Sequence, residues 1–243
     1  MRSGWLDEAV KASKLPPATV FPRELADEVE IYLPVSLVPL PGLTCHQVRD
    51  WLVQRNNLRI EVPDQDRQIH GCMVAKRGRG FIFCEARDTA EVRRFTLAHE
   101  VAHFVLDHLL PRMNALAALG ESILPVLDGE REPNPREGLS AMLKRIPLGV
   151  QVRLMDRDPS GAICSGKVDA VEHRADRLAF ELLAPADQAL PMLAGVPRTR
   201  AAEELASRFG LRRMEAAAYA RILLGPRHQP FSIQKYFPEG EEE

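Results

Sequence analysis

The chain has 243 residues, of which 45% are apolar and 27% are charged, and its formal net charge is −2 at pH 7. A chain of this length and composition can bury a substantial core, which argues against wholesale disorder and against a fibrous architecture. The small net charge gives no reason to expect a nucleic acid or an anionic membrane as a partner.

The cysteines and the N-terminus indicate the compartment. Four cysteines lie far apart in the chain without any Cys-x-x-Cys pair, a pattern that argues against a disulfide framework and against a thiolate zinc site. Asp7 and Glu8 stand where a signal peptide would need an uninterrupted apolar core, and no apolar run approaches the length of a membrane span. We therefore expect a cytoplasmic protein without a membrane partner.

The start of the chain is predicted to contain only short elements. Prolines are scattered through residues 1–40, and they interrupt any long helix or strand there. Thr44 is predicted to cap a helix over residues 45–55. The apolar character of residues 58–62 indicates a short strand after that helix.

A β-hairpin and a long helix are predicted next. Residues 71–85 contain two apolar runs that are separated by the segment 76–80, whose two glycines favour a tight turn. Asp88, with Glu91 three positions later, resembles a capping box. These signals predict the start of a helix of roughly twenty residues.

The second half of the chain is predicted to be mostly helical. Residues 109–166 mix an Ala/Leu-rich part with a proline-rich and charged part, and we interpret them as a partly helical insertion. Regular helix signals return at 166–185, and residues 199–225 indicate two helices joined at Gly210. The acidic tail, 226–243, is predicted to be unstructured.

Two histidines in the sequence FTLAHEVAHFVLDH (residues 95–108) stand four positions apart on the long helix. Four residues advance an α-helix by about 400° and about 6 Å, so His99 and His103 share one stripe of its surface. Two imidazole nitrogens placed in this way can bind one zinc ion. Glu100 lies about 100° away, where it can accept a proton from a water molecule beside the ion.

The same pattern also fits an ordinary amphipathic helix, with hydrogen-bonded core histidines and an exposed glutamate. Two features favour the metal site. Ala98 and Ala102 flank the histidines and allow close approach of other backbone, while the apolar residues around them predict a buried helix. The nitrogens of buried imidazoles need hydrogen-bond or metal partners.

A catalytic zinc site usually has a third protein ligand and an open position. The pattern HExxHxxGxxH does not supply it, because Leu106 and Leu109 stand where its glycine and its third histidine should be. Asp107 is eight residues beyond His99, about 12 Å along the axis, so both cannot bind one ion. We expect Asp107 either to support a ligand or to be exposed.

A glutamate on a later helix is the better candidate for the third ligand. In the sequence VEHRADRLAFELLAP, Glu172 and Asp176 are i and i+4 neighbours, and Ala175 and Ala179 allow that helix to pack closely on another. We predict that Glu172 binds the metal and that Asp176 holds a ligating histidine through its other ring nitrogen. An exposed charged stripe is the alternative interpretation.

The predicted hairpin, the segment RRFTLAHEVAHFVLDH, the pattern E-x-x-A-D-x-x-A-x-x-L-L-x-P and the final LASRFGL with its last helix together resemble the ImmA/IrrE metallo-endopeptidases. The resemblance implies an α+β, zincin-like core in which a small sheet or hairpin packs on the HExxH helix. It implies a zinc ion bound by His99, His103 and Glu172, with Glu100 as the base. It also implies a protein substrate, namely a helix-turn-helix transcriptional repressor whose cleavage switches on a stress response or the genes of a mobile element.

The chain departs from the family pattern in the long gap between His103 and Glu172, so the insertion at about 109–166 is a candidate lid, partner surface or autoinhibitory segment. We divide the chain into four parts: an N-terminal segment, 1–40; a zincin-like peptidase domain, 41–185, with this insertion; a helix-turn-helix-like helical region, 186–225; and a tail, 226–243. The two helices of the third part are better suited to repressor docking or to packing than to DNA binding, because three consecutive alanines make a poor base-reading face.

These features predict a zinc-dependent endopeptidase in which manganese can replace zinc. No motif identifies the group that stabilises the oxyanion, and His173 and Tyr219 are the candidates. The strand at 81–85 runs directly into the predicted metal helix, where a substrate can pair with it as an added strand. The charged turn at 76–79 is equally consistent with solubility alone. The alternative, from a different class, is a non-proteolytic regulator that keeps the zinc and binds a repressor or DNA. The intact Glu100 argues against that alternative, because a binding module does not need a base there.

Overall fold

A computed structural model of the protein describes residues 4–135, 137–138, 151–156 and 166–225. The strands are β1 (Val35–Leu40), β2 (Ile69–Lys76), β3 (Arg79–Glu85) and β4 (Gln151–Asp156). The helices are α1 (Gly4–Ser13), α2 (Ala26–Tyr32), α3 (Cys45–Asn56), α4 (Ala90–His103), α5 (Leu110–Leu119), α6 (Leu124–Leu127), α7 (Gly166–Leu183), α8 (Ala186–Leu193), α9 (Ala201–Phe209) and α10 (Arg213–Leu224). A π-helical segment, Phe104–Leu109, joins α4 to α5, and a 3₁₀ turn, Glu121–Ile123, precedes α6. The predicted tail and much of the predicted insertion lie outside these residues.

The described strands form one sheet in the order β1-β3-β2-β4. β3 pairs in parallel with β1 and antiparallel with β2, and β2 also pairs antiparallel with β4. The expectation that residues 81–85 offer an exposed edge is therefore wrong, because β3 lies inside the sheet and is paired on both sides. β4 instead forms the edge next to β2. This strand lies inside the predicted insertion and was not predicted from the sequence.

The sheet is covered on both faces, which explains why its strands are apolar with little alternation. On one face, Cys72 and Val74 of β2 pack with α3, whose Trp51 lies edge-to-face on the ring of Phe83 with centroids 5.3 Å apart. On the other face, Met73 belongs to the larger core, which also contains the buried sides of α4, α7, α9 and α10. The molecule is thus layered as α3, sheet, α4 and α7.

The α+β, zincin-like architecture is confirmed, as a small sheet packs on the HExxH helix and a helical segment follows. α4 packs on β2 and β3 on one side and on α7 on the other. Alanines line the contact between the two helices, and Ala98, Ala102, Ala175 and Ala179 are completely buried. Small side chains at these positions allow the two helix backbones to lie close together.

Several local predictions are confirmed. Thr44 caps α3 and forms a capping box with Gln47. The helix predicted at 166–185 is α7, and the pair predicted at 199–225 is α9 and α10, which are joined at Gly210. Among the described helices, none combines the length and the apolar character that crossing a membrane requires.

Two other local predictions are wrong. Residues 58–62 form no strand, because they lie as an irregular segment whose apolar side chains pack on the α3 side of the sheet. The N-cap of α4 is Thr89, whose hydroxyl accepts a hydrogen bond from the Val92 amide at 3.4 Å. The carboxylate of Asp88 instead accepts a hydrogen bond from Nδ1 of His70 at 2.6 Å.

The hairpin turn is shorter than the predicted 76–80. Arg77 and Gly78 alone form it, with φ of 52° and 76°, as a two-residue turn between antiparallel strands favours. Gly80 lies in β3, directly against the ring of Phe104, and a Cβ atom there would be 2.7 Å from Phe104 Cδ2. Gly80 therefore serves the close approach of the sheet to the helix that follows the metal-binding motif.

We expect Gly80→Ala to lower the free energy of unfolding by about 1–3 kcal/mol, because the added methyl group overlaps the Phe104 ring. Gly4→Ala is the control, since outside its own helical turn no atom of the described residues lies within 4 Å of a Cβ at that position, and its effect should stay within about 0.5 kcal/mol. Urea unfolding followed by circular dichroism measures both changes. Equal unfolding midpoints for the two variants would contradict the close packing at Gly80.

Candidate metal centre

Two helices bring the predicted metal ligands together. α4 carries His99 and His103 on its buried side, where the two residues are 5% and 2% exposed. α7 crosses this side of α4 and carries Glu172, which is half-buried. The burial of α4 on both sides follows from its sequence, in which apolar residues and alanines surround the two histidines.

Three ligand atoms from these residues form a small triangle. Nε2 of His99 lies 3.1 Å from Nε2 of His103, and Oε2 of Glu172 lies 3.2 Å from the first nitrogen and 3.4 Å from the second. Among the described residues, this is the group of three or more histidine, cysteine or carboxylate side chains that can hold a metal ion.

The dimensions of the triangle fit a tetrahedral ion. Bonds of about 2.0–2.1 Å at tetrahedral angles place two ligand atoms about 3.3–3.4 Å apart, close to the separations found here. Two neutral imidazoles and one carboxylate are also a donor set that zinc accepts, and the partial exposure of Glu172 leaves one side of the site open for a fourth ligand.

Both histidines are oriented by carboxylates at their second ring nitrogen. Nδ1 of His99 donates to Oδ1 of Asp176 at 2.9 Å, as predicted for Asp176. Nδ1 of His103 donates to Oδ2 of Asp107 at 2.9 Å. Because a proton on Nδ1 leaves the lone pair on Nε2, these contacts leave both Nε2 atoms available to bind a metal ion. Asp107 is therefore not simply exposed, because it contacts the second ring nitrogen of the predicted ligand His103.

Arg153 is a part of the site that the sequence analysis missed. It lies on the edge strand β4, and its Nε donates to the same Oδ2 of Asp107 at 3.0 Å. The guanidinium group thereby fixes the carboxylate that orients His103. Asp107 could have been recognised from its i+4 spacing to His103, whereas nothing in the sequence relates Arg153 to a helix that ends fifty residues earlier.

The carboxylates make the centre attractive to a cation. Burial lowers the pKa of His99, but its hydrogen bonds to Asp176 and Glu172 outweigh burial and raise the pKa to about 10. Burial raises the pKa of Glu172, but its hydrogen bonds to His103 and His99 hold the pKa well below its usual range. A metal ion bound here would take the place of the proton that His99 otherwise holds at Nε2 and would pair with the ionised carboxylate of Glu172.

Glu100 is completely buried beside the triangle. Neither carboxylate oxygen has a hydrogen-bond partner among the described residues. Burial raises the pKa of Glu100 to about 7, although the nearby histidines act in the opposite direction. The side chain occupies space that Gly71 of β2 leaves free, since a Cβ there would be 3.1 Å from Glu100 Oε1. An unsatisfied buried carboxylate next to a cation site indicates a role in chemistry rather than in packing.

The two candidates for oxyanion stabilisation lie in different surroundings. Tyr219 is 1% exposed, stacks on Phe180 and donates its hydroxyl proton to the Ala184 carbonyl at 2.7 Å. This placement does not support the oxyanion role, because the hydroxyl is used to hold α10 to the end of α7. His173 is exposed and follows Glu172 directly on α7, so its role stays a prediction.

Two histidines and a glutamate in this geometry, on a zincin-like core, are typical of the metal site of a peptidase. Residues 57–123 match the family model of peptidase family M78, described as the IrrE N-terminal-like domain. The matched segment includes His99, Glu100 and His103 and ends before Glu172. The chain is thus similar to the ImmA/IrrE peptidases over residues 57–123, which confirms the resemblance seen in the motifs. It matches no curated protein and no solved structure.

We expect Asp107→Ala and Asp176→Ala each to weaken zinc binding by about 10–100-fold, because each change releases one ligating histidine from its orienting carboxylate. Competition with a chromophoric chelator measures the affinity. Asp64→Ala, in an exposed loop, is the control and should bind zinc like the wild type. Unchanged affinity in both site variants would show that the carboxylates do not position the histidines.

Proposed function

We propose that the protein is a zinc-dependent endopeptidase that cleaves a protein substrate, and that this substrate is a helix-turn-helix transcriptional repressor. The observation that carries the proposal is the contact of Glu172 Oε2 with Nε2 of both histidines, beside the unpartnered carboxylate of Glu100. A purely structural metal site would not need that carboxylate. The choice of a repressor as substrate, and a role in a stress response or in mobile-element regulation, rest on the family resemblance.

The proposed ligands are His99, His103 and Glu172. A bound zinc ion would supply Lewis-acid polarisation of the scissile carbonyl and would ease the ionisation of water. Manganese, which accepts the same nitrogen and oxygen donors, is the proposed substitute. Asp176 and Asp107 keep the two imidazoles in the orientation that binding requires.

Glu100 is the proposed general base and acid. It accepts a proton from the attacking water and later donates it to the nitrogen of the departing amine. A pKa raised to about 7 by burial suits both steps near neutral pH, because the carboxyl group can then take up and release a proton with little cost.

The substrate is proposed to lie along β4. Among the described strands, β4 is paired only with β2, so its other side can accept an extended peptide as an additional strand. Arg153 of this strand contacts Asp107, which in turn contacts His103. A peptide paired with β4 would therefore pass close to the metal centre.

We expect Glu100→Gln to lower the rate of substrate cleavage by about 10²–10⁴-fold and to leave zinc binding intact, since it removes the proton acceptor without removing a ligand. Electrophoresis of a candidate repressor after incubation with the zinc-loaded protein detects the cut. Glu91→Gln, an exposed position in the first turn of the same helix, is the matched control and should cleave like the wild type.

The same experiment separates the proposed function from its alternative, a non-proteolytic regulator. Binding of the repressor by the wild type without any cut, in zinc and in manganese, would favour the regulator. Full activity in Glu100→Gln would show that the cleavage comes from elsewhere.

A further inference from the structure

A groove of about 460 Å³ lies between α7 and α10, next to the metal centre. On α7 it is lined by a stripe of residues spaced three and four positions apart, namely His173, Asp176, Arg177 and Phe180. On α10 it is lined by Ala218, Arg221 and Ile222, which have the same spacing. Both walls are thus single helix faces, held in place by the stacking of Tyr219 on Phe180.

Asp176 connects the groove to the proposed reaction centre. Its carboxylate lines the groove, and its Oδ1 accepts the hydrogen bond from Nδ1 of His99. The groove therefore begins one side chain away from a metal ligand. A side chain that enters the groove would lie beside Asp176, one hydrogen bond from His99.

Two arginines line the groove, and neither has an acidic partner among the described residues. Nη1 of Arg177 is buried and has no hydrogen-bond acceptor in the part of the chain that the structure describes. Nε of Arg221 donates to the Ala217 carbonyl of its own helix at 3.3 Å, and no described carboxylate pairs with this side chain. The acid that lines the groove, Asp176, already accepts a hydrogen bond from His99. Two arginines and one aspartate give the groove a charge of about +1, which complements a single carboxylate.

Apolar walls accompany these charges. The ring of Phe180 lies at the groove and is 2% exposed, and Ile222 is 39% exposed at its rim. A carboxylate carried on methylene groups matches this combination, because the methylenes contact the walls while the guanidinium groups bind the two oxygens. A nucleic-acid backbone would instead present several phosphates to a groove that contains a carboxylate and an aromatic floor.

We propose that this groove is a substrate subsite that selects an aspartate or glutamate side chain close to the scissile bond. The proposal rests on the proposed peptidase function and names a specificity that this function leaves open. Arg177 and Arg221 bind the acidic side chain, and Phe180 and Ile222 contact its methylene groups. Neither arginine takes part in the chemical step.

The test is digestion of a mixture of synthetic peptides by the zinc-loaded full-length chain, with the cleavage sites read by mass spectrometry. We expect the wild type to favour an acidic residue at one fixed position relative to the cut. In matched peptides, Glu→Gln at that position should lower kcat/KM roughly five- to tenfold, as expected for a charge-assisted contact that is partly exposed.

Variants at the groove and outside it make the test specific. Arg221→Glu should remove the acidic preference or turn it towards lysine, and Arg177→Gln should weaken it. Arg213→Glu, an exposed position on the same helix outside the groove, makes the same charge change and should keep the wild-type preference. Zinc content and circular dichroism of each variant show that the fold and the metal centre are retained.

The outcomes separate the subsite from the function on which it rests. Cleavage by the wild type without an acidic preference, or a preference kept in both Arg221→Glu and Arg177→Gln, would overturn the subsite alone. Absence of any cleavage by the zinc-loaded wild type, of the peptides and of a candidate repressor alike, would overturn the proposed function and the subsite with it.

Discussion

The meeting of Glu172 with the two histidines of α4 is the contact on which the account depends. It joins residues that lie about seventy positions apart, and it requires α7 to cross α4 at one height and in one rotation. The buried alanines of both helices allow this crossing, and the sheet holds α4 from the other side. A shift of either helix by one turn, about 5.4 Å, would separate the carboxylate from the imidazoles.

Carboxylates surround this centre in two layers. Glu172 contacts the histidines at Nε2, while Asp176 and Asp107 contact them at Nδ1. Such an arrangement would be unfavourable without a cation, because it concentrates negative charge beside buried rings. The centre is therefore suited to a positive ion, and beside it burial raises the pKa of Glu100 to about 7 although the nearby histidines act in the opposite direction. Arg153 of the edge strand β4 contacts Asp107, and Asp107 contacts His103. A peptide that paired with β4 would therefore be linked to the orientation of His103 through these two residues.

The elements that depend on local rules could be predicted from the sequence. The i+4 histidines, the i+4 acid pair, the Thr44 cap and the helices α7, α9 and α10 follow from periodicity and capping, and the structure agrees with them. The predictions that fail concern pairing at a distance. The position of β3 inside the sheet depends on its neighbours in the sheet. β1 and β4 are too short and too far away in the chain to be assigned to the sheet from the sequence. Residues 58–62 resemble a strand in the sequence because their apolar side chains cover a core. Arg153 and the groove at Arg177 and Arg221 are visible only once the helices and strands are placed together. The division into domains and the roles of the site residues stay predictions.

The proposed ion is held by two imidazoles of α4 and one carboxylate of α7. X-ray absorption spectroscopy of the protein loaded with one equivalent of zinc tests this coordination most directly. We predict nitrogen and oxygen neighbours alone at about 2.0–2.1 Å, with the outer-shell scattering of two histidine rings, and a changed first shell in Glu172→Ala. A sulfur neighbour at about 2.3 Å, a single imidazole, or an identical spectrum in Glu172→Ala would contradict the account.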